Sequence, residues 1–226
     1  MTGRLKAVLF DVDGTLADTN YLHAVTWWEA FAQADHDVAM ADIHRAIGMG
    51  SDRMLDALLP ADRDRGQDDT IRAGHTALYS VFWTRLRPLP GAAELLRACK
   101  KQSWRVVLAS SADPVEFTAL RAALDAEDAI DDATSSGDVE ASKPAPDLVQ
   151  VALDKAGADP GETVFVGDTV WDVRACQRAA VPCIGLLSGG ISEAELREAG
   201  AVKAYKNPAD LLANLPDSLA TTAEGA

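Results

Sequence analysis

Phe10-Asp11-Val12-Asp13-Gly14-Thr15-Leu16 is the stretch that decides the fold of this chain. It continues the apolar run Ala7-Val8-Leu9-Phe10, which is typical of a buried parallel strand. Open α/β sheets place their chemistry at the carboxyl ends of such strands. Gly14 permits a tight turn, and a strand that ends between the two aspartates can bring both carboxylates to one site. The pair predicts a nucleophile, an acid–base partner and part of a hard-metal site, although a strand followed by a polar turn would also fit this stretch alone.

Other apolar runs along the chain also end in polar side chains. Strands are predicted near residues 5–11, 105–110, 162–168 and 182–187, with a weaker one near 201–205, and helical patterns lie between them. This alternation predicts an α/β fold, a Rossmann-like parallel sheet flanked by helices. The polar side chains that follow these runs, or stand in the loop between them, are Ser110, Ser111, Lys143, Asp168 and Asp172.

The segment from residue 18 to residue 88 contains no convincing strand pattern. Apolar residues recur there at helical spacing, and the first such stripe is Leu22, Val25, Trp28 and Ala32. We therefore expect a small all-helical cap domain at 18–88, inserted between the two parts of a catalytic core at 1–17 and 89–216. A helical insertion directly after the first catalytic strand would lie over the carboxylates as a lid. The small and polar residues at 217–226 predict a disordered tail.

Four polar segments, taken in order, resemble the motif set of the haloacid dehalogenase-like hydrolase superfamily. They are Phe10–Leu16, Ser110-Ser111, Ser142-Lys143-Pro144 and Gly167–Asp172. The chain is most similar to the branch of phosphoglycolate phosphatase-like and β-phosphoglucomutase-like members, which carries a helical cap after the first motif. The glycine at 167 and the segment Gly189-Gly190-Ile191 resemble the phosphoglycolate phosphatase-like members of that branch.

This resemblance implies a role for each core side chain. Asp11 would attack phosphorus and form an aspartyl-phosphate, and Asp13 would be the general acid and base. Ser110 would bind the phosphoryl oxygens together with backbone N–H groups that follow it. Lys143 would neutralise the charge on the transferring group and on Asp11. For Ser110 a helix cap, and for Lys143 a solvated loop position, are the structural alternatives.

Mg²⁺ is the expected cofactor, because it prefers oxygen ligands and keeps several waters. The expected ligands are the carboxylates of Asp11 and Asp168 and the carbonyl of Asp13. Asp172 stands four residues after Asp168, one helical turn further on the same face, and would hold a metal-bound water. A favourable acid in the first turn of a helix is the structural alternative for Asp172.

Three residues are predicted to bind the substrate. Ser111 follows Ser110 at the strand end. A histidine at the position of His23 recurs in mutase-like and sugar-phosphatase-like members of the branch, although a packed histidine would fit as well. Arg53 belongs to the segment 47–53, which resembles the specificity loop of the cap, and a basic group on a glycine-containing loop suits an anionic ligand.

The resemblance implies a phosphatase that acts on a small phosphorylated metabolite. Asp13 favours phosphoryl transfer over dehalogenation, because dehalogenating relatives lack an aspartate at this position. A phosphomutase of the β-phosphoglucomutase type is one alternative, and His23 favours it. A non-catalytic binding or regulatory module is another, and the presence of Asp11 and Lys143 argues against it.

Composition limits the partners and the compartment. The 226 residues include 21 Lys and Arg against 35 Asp and Glu, a net charge of −14, which argues against nucleic acid or an anionic membrane surface as a partner. No apolar run approaches the ~18 residues of a membrane helix. Three cysteines without C-x-x-C spacing indicate reduced thiols, and no secretory signal pattern is present. We expect a cytoplasmic enzyme, monomeric or homodimeric.

Overall fold

A six-stranded parallel sheet organises the computed structural model, which describes residues 5–134, 137 and 141–215. The strands are β1 (Ala7–Phe10), β2 (Arg105–Ala109), β3 (Asp132–Thr134), β4 (Thr163–Gly167), β5 (Cys183–Leu186) and β6 (Lys203–Tyr205). Among the described residues their order is β3-β2-β1-β4-β5-β6, with β1 paired on both sides. The predicted parallel α/β fold is confirmed. The tail predicted at 217–226 lies outside the described residues.

Helices flank this sheet and also fill the segment between β1 and β2. They are α1 (Asn20–Gln33), α2 (Met40–Ala46), α3 (Ser51–Leu58), α4 (Asp68–Ser80), α5 (Ala92–Lys101), α6 (Pro114–Leu124), α7 (Asp147–Ala156), α8 (Val170–Arg178), α9 (Glu193–Ala199) and α10 (Pro208–Ala213). Measured over the described residues, none of them has the length and apolarity that spanning a membrane would require.

Apolar side chains of β1 point alternately into two layers. Val8 and Phe10 pack in one apolar cluster with Leu95 of α5, whereas Leu9 packs on the other face with Val173 of α8. This alternation follows from the two-residue period of a strand. Because both faces of β1 are covered, its four residues are fully buried. The end of β1 is therefore held rigidly in the centre of the sheet.

Helices α1 to α4 pack on one another around an apolar cluster of their own, which includes Phe31, Ile43, Leu55 and Ile71. The apolar stripe of α1 that begins at Leu22 is not the buried face of this helix. Val25 and Trp28 are 46% and 39% exposed, and the buried face carries Trp27 and Phe31 instead. Apolar residues surround most of α1, so their spacing did not single out one face. Packing against α4 and the burial of polar side chains such as His23 decide it.

The chain enters and leaves this helical segment through two connections that lie side by side. Asp18 N donates to Arg87 O at 3.0 Å, and Leu89 N donates to Leu16 O at 2.8 Å. A movement of the segment relative to the sheet would therefore involve both connections together. The domain boundaries at 18 and 88 remain a prediction.

Two elements near the sheet edges were not predicted from apolar spacing. β3 has only three residues, and its sequence Asp-Ala-Thr contains no apolar run. α9 lies in a stretch that carried no assigned pattern, and it begins with a capping box in which Ser192 and Glu195 bond each other's backbone N–H. Short edge elements carry little periodic signal, because much of their surface remains in solvent.

Candidate active site

Neighbouring strands bring three polar residues to one edge of the sheet. β2, β1 and β4 are adjacent and parallel, so their carboxyl ends lie together. Ser110, Asp11 and Asp168 follow directly after these three strands. Asp11 still belongs to the ladder, because its backbone N donates to Val166 O at 2.9 Å. The convergence predicted from the sequence is thus present in the structure.

Gly14 makes the turn that carries the chain past these carboxylates. Its φ of +73° lies in the left-handed region, and a Cβ there would overlap the side chains of Asp168 and Asn20. The space is used by hydrogen bonds instead: Thr15 Oγ1 donates to Asp168 Oδ1 at 2.8 Å, and Asn20 Nδ2 donates to Asp168 Oδ2 at 2.8 Å. The turn predicted at Gly14 is therefore required by the close approach of Asp168.

Three carboxylates form a buried cluster at this edge. Asp11, Asp168 and Asp172 each present an oxygen within 4.8 Å of the others. Burial raises the pKa of Asp11 well above its usual value, with the charges of Asp172 and Asp168 adding to the effect against Lys143. Burial, together with the charge of Asp172, raises the pKa of Asp168 to about 7. Such crowding of oxygen ligands leaves an excess of negative charge that a hard cation would relieve.

Lys143 supplies the positive charge inside this cluster. Its Nζ donates to Asp11 Oδ1 at 2.6 Å and to Asp172 Oδ1 at 2.7 Å, and the side chain is 3% exposed. Burial opposes the charged form, but the two carboxylates outweigh it and raise the pKa of Lys143. Lys143 is thus a buried cation that holds one oxygen of Asp11 in place, and not a solvated loop lysine.

Asp172 is fixed from two sides. Its Oδ2 accepts from Thr169 N at 3.0 Å and from Thr169 Oγ1 at 2.6 Å, in a capping box at the start of α8. Its Oδ1 accepts from Lys143. The sequence-based placement of Asp168 and Asp172 on one face of a helix was wrong, because α8 begins at Val170 and Asp168 belongs to the strand end. Asp172 caps the helix and positions Lys143.

Asp13 lies beside this cluster and is held by the helical segment. Its Oδ1 accepts from Thr19 Oγ1 at 2.6 Å and contacts His23 Nε2 at 3.2 Å. Burial works against the charged forms of both partners, yet the hydrogen bond between them lowers the pKa of Asp13 and raises the pKa of His23. His23 Nδ1 in turn lies 3.2 Å from His75 Nε2. Burial lowers the pKa of His75 to about 2, so this second histidine is neutral.

Ser110 and Ser111 differ in their surroundings. Ser110 is buried, and its Oγ accepts from Ala112 N at 3.1 Å. Ser111 lines the cavity described below. The N-cap of α6 is Asp113, whose Oδ1 accepts from Val115 N at 2.9 Å, so Ser110 does not serve as that cap.

A cavity of about 280 Å³ connects these groups with the helical segment. The sheet side contributes Asp11, Asp13, Ser111, Glu116 and Lys143, and the helical segment contributes His23, Trp27, Met49, Ser51, Arg72 and His75. Arg53 is exposed and is absent from the described residues that line the cavity. Arg72 of α4 is the arginine that does line it, and its Nη2 donates to Asp69 Oδ1 at 2.6 Å.

Glu116, Arg72 and His75 were not identified from the sequence. His75 stands at helical spacing with Ile71, Leu78 and Phe82, a pattern that indicates the inner side of its helix. No motif distinguishes Glu116 from other acids in the first turn of a helix. Glu116 lies at the cavity only because α6 packs against the helical segment.

Several contacts fix the helical segment over this edge of the sheet. His44 Nε2 lies 2.8 Å from Gly189 O, Trp171 Nε1 donates to Arg45 O at 3.0 Å, and Ser142 Oγ donates to Asp52 Oδ1 at 2.8 Å. Gly50 touches the same loop so closely that a Cβ would overlap the Ser142 side chain. The helical segment therefore lies closed over the carboxylates in this structure.

Comparison with known proteins gives a consistent result. A family model described as haloacid dehalogenase-like hydrolase matches residues 5–180. Phosphoglycolate phosphatase of Rhodospirillum rubrum is 28% identical over 218 residues, which are 91% of this chain and 89% of that protein. A crystal structure of a hydrolase from Pseudomonas syringae superposes with a TM-score of 0.89 at 34% identity and covers 94% of this chain and 99% of its own.

A longer relative matches through one part of its length. The protein SUPPRESSOR OF QUENCHING 1, chloroplastic, of Arabidopsis thaliana is 30% identical over 203 residues, which are 88% of this chain. The chain spans 19% of the length of that protein. The fold described above thus also occurs within a much larger polypeptide.

Proposed function

Because the chain belongs to the haloacid dehalogenase-like hydrolase family, we propose that its site hydrolyses a small phosphomonoester with the help of Mg²⁺, through an aspartyl-phosphate on Asp11. The chain is a phosphoric monoester hydrolase, like the phosphatase named among its relatives. The observation that carries the mechanism is the position of Asp11. Asp11 is bonded to the buried cation of Lys143 and lines the same cavity as Asp13.

The chemistry of the first step follows from the two aspartates. Lys143 holds Oδ1 of Asp11, and the other carboxylate oxygen attacks phosphorus as the ester P–O bond breaks. The proton that Asp13 shares with His23 passes through Asp13 to the departing oxygen, so an alcohol leaves instead of an alkoxide. In the second step Asp13 takes a proton from water, which attacks the phosphorus and releases inorganic phosphate and the Asp11 carboxylate.

Mg²⁺ fits the buried carboxylates, which carry more negative charge than Lys143 balances. The Asp11 and Asp168 carboxylates and the Asp13 carbonyl would hold it. Asp172 would hold a water bound to the ion. When bound, the ion would reduce the repulsion between Asp11 and the phosphoryl group.

The helical segment 18–88 acts in this proposal as a cap. It supplies His23 and Thr19, which hold Asp13, and it covers the cavity through the contacts at Gly50 and His44. Closure of a cap excludes water other than the one that reacts and completes the site. Ser110, Ser111 and the adjacent backbone would bind the phosphoryl oxygens. Arg53 is too exposed here to be given the role of binding an anionic leaving group.

The test is phosphate release from p-nitrophenyl phosphate by the wild type, Asp11→Asn and Asp18→Asn. Asp11→Asn is expected to lose at least ~10³-fold in kcat, because an amide is a poor nucleophile. Asp18→Asn removes the same charge from an exposed position next to the motif and should stay near wild type. EDTA should abolish activity and Mg²⁺ should restore it. Substantial turnover by Asp11→Asn would contradict the role of Asp11 as nucleophile. Activity that is unchanged by EDTA would contradict the requirement for Mg²⁺.

A phosphomutase remains the alternative that His23 favours, because a histidine bonded to Asp13 can delay proton transfer from water. The two functions differ in their product. A phosphatase releases inorganic phosphate in proportion to substrate consumed, whereas a mutase converts a sugar phosphate into its isomer with little release. Measuring both products from glucose 1-phosphate decides between them.

A further inference from the structure

Glu116 is a buried carboxylate without a hydrogen-bond donor. The residue lies in the first turn of α6, is 9% exposed and lines the cavity. Within the described part of the chain no donor lies within hydrogen-bond distance of its carboxylate. Its nearest cationic neighbour is His23 Nε2, at 3.6 Å from Oε1. Because His23 is already bonded to Asp13, the Glu116 carboxylate keeps acceptor capacity that faces the cavity and that a donor in the cavity would use.

Glu116 lies close to the place that the leaving group would occupy. Asp13, His23 and Glu116 each present an atom within 4.8 Å of the others. Under the proposed function Asp13 protonates the oxygen of the leaving group. The carboxylate of Glu116 therefore lies near the first carbons of that leaving group, one side chain away from the ester oxygen.

Charges around this end of the cavity are mostly negative. Asp113, at the start of the same helix, also lines the cavity. Lys143 is already bonded to Asp11 and Asp172, and His75 is neutral. Arg72 lies almost one helical turn along α4 from His75 and is paired with Asp69. His23 is held between Asp13 and Glu116, so among the described lining residues an anionic group next to the ester would face Glu116 without a cation of its own.

We propose that Glu116 selects the leaving group by accepting a hydrogen bond from a hydroxyl or ammonium group close to the ester. The substrate class is then the phosphomonoesters of polyols and amino alcohols. A carboxylate at that position, as in 2-phosphoglycolate, is disfavoured. This inference rests on the proposed function, because it takes Asp13 as the proton donor to the leaving group.

The experiment compares three small substrates of similar size: glycerol 1-phosphate, phosphoethanolamine and 2-phosphoglycolate. The wild type is expected to hydrolyse at least one of the first two with a kcat/KM about 10-fold or more above that for 2-phosphoglycolate. Glu116→Gln removes the repulsion and weakens the acceptor, so this ratio should fall by about 10-fold. Glu94→Gln makes the same change on an exposed face of α5 and should preserve the ratio.

A further variant separates recognition from structure. Glu116→Leu removes the acceptor and should lower kcat/KM for the donor-bearing substrates more than for p-nitrophenyl phosphate, whose leaving group has no donor. An equal loss on all substrates would mean that Glu116 acts only through His23 or through packing, and would overturn the inference. So would a wild type that prefers 2-phosphoglycolate, a result that needs no folded variant. Failure of the proposed function is distinct, because the wild type would then release no phosphate from any of the four compounds.

Discussion

At the scale of a single residue, Asp168 shows how hydrogen bonds and burial act in opposite directions on one carboxyl group. Its two oxygens accept from Thr15 and Asn20, yet it is fully buried beside two other carboxylates. Burial and the charge of Asp172 raise its pKa to about 7. In the unfolded chain the same carboxyl has a pKa near 3.8. The metal-free protein therefore folds with a carboxyl that prefers to be protonated.

This shift predicts that the metal-free protein loses stability as pH rises. A carboxyl whose folded pKa is raised contributes stability that is complete below about pH 4 and is lost once pH passes about 7. Between pH 5 and pH 7 the free energy of unfolding in EDTA should fall by about 2–3 kcal/mol, at ~1.4 kcal/mol per pH unit for this one group. Urea unfolding at the two pH values measures it.

Asp168→Asn is the matched variant, because an amide does not titrate. Its stability in EDTA should depend less on pH than that of the wild type. Mg²⁺ should stabilise the wild type more at pH 8 than at pH 5, since the ion competes with the proton for the same carboxylates. A metal-free wild type whose stability is flat or rises over this range would contradict the assignment.

Individual residues also show how far the sequence could lead. Asp11, Asp13, Ser110, Lys143, Asp168 and Asp172 were identified because strand ends and motif spacing placed them, and the structure brings them to one edge of the sheet. Their chemical roles stay predictions. Arg53 was chosen from a loop pattern, and the cavity is lined by Arg72 instead. Which basic residue faces the cavity depends on how α3 and α4 pack, and the local sequence does not specify this packing.

At the scale of elements, the loop from α2 to α3 is one of the places where the helical segment 18–88 meets the sheet side of the molecule. Gly50 has an ordinary backbone conformation with φ −67°, so its small size and not its flexibility is what matters. A Cβ there would overlap the side chain of Ser142, the residue before Lys143. Absence of a side chain at this one position is thus what allows the helical segment to approach the loop that carries Lys143.

Gly50→Ala should therefore lower kcat/KM for p-nitrophenyl phosphate by about 10-fold or more, because displacements near 1 Å disturb a catalytic geometry. Its thermal stability should change little. Gly74→Ala is the control: it makes the same substitution within the helical segment, and its Cβ would meet only Ala30 at an ordinary 3.8 Å. Equal activity of the two variants would show that close approach at Gly50 is not needed.

Within the helical segment 18–88, Arg63 joins α3 to α4. Its guanidinium is 2% exposed and bonds both oxygens of Asp68, at 2.9 and 2.8 Å, as well as Asp56 at 2.7 Å. Lysine cannot reproduce this fork-like arrangement. Arg63→Lys should lower the free energy of unfolding by about 1.5–3 kcal/mol in urea titrations. Arg65→Lys, at an exposed position with a single carboxylate partner, should cost less than about 1 kcal/mol.

For helices and strands, the spacing of apolar residues predicted the structure where the pattern is unambiguous and failed where it is not. The core strands β1, β2 and β4 were predicted because each is a continuous apolar run buried on both faces. α1 has apolar residues nearly all round, so its stripe pointed to the wrong face. β3 lacks an apolar run, and its pairing with β2 is a long-range contact that the local sequence does not contain.

At the scale of the whole molecule, the net charge of −14 is spread over a chain of 226 residues. Self-repulsion of this kind destabilises a compact state, and salt screens it. Raising NaCl from 10 to 300 mM should raise the melting temperature by roughly 2–4 °C, about 1 kcal/mol at this size. Converting the exposed carboxylates of Asp37, Asp154 and Glu198 to amides should reduce that rise. A melting temperature that falls with salt would show that attractive ion pairs dominate instead.

Because β1 is central in the sheet, its partner strands are synthesised long after it. Ala7 pairs with Arg105 on one side and with Thr163, 156 residues later, on the other. A ribosome that adds ~5–20 residues per second needs roughly 8–30 s to synthesise the chain from Ala7 to Thr163. Throughout that interval the central strand of the sheet has at least one unpaired edge. Asp11 therefore leaves the ribosome many seconds before the rest of its site exists.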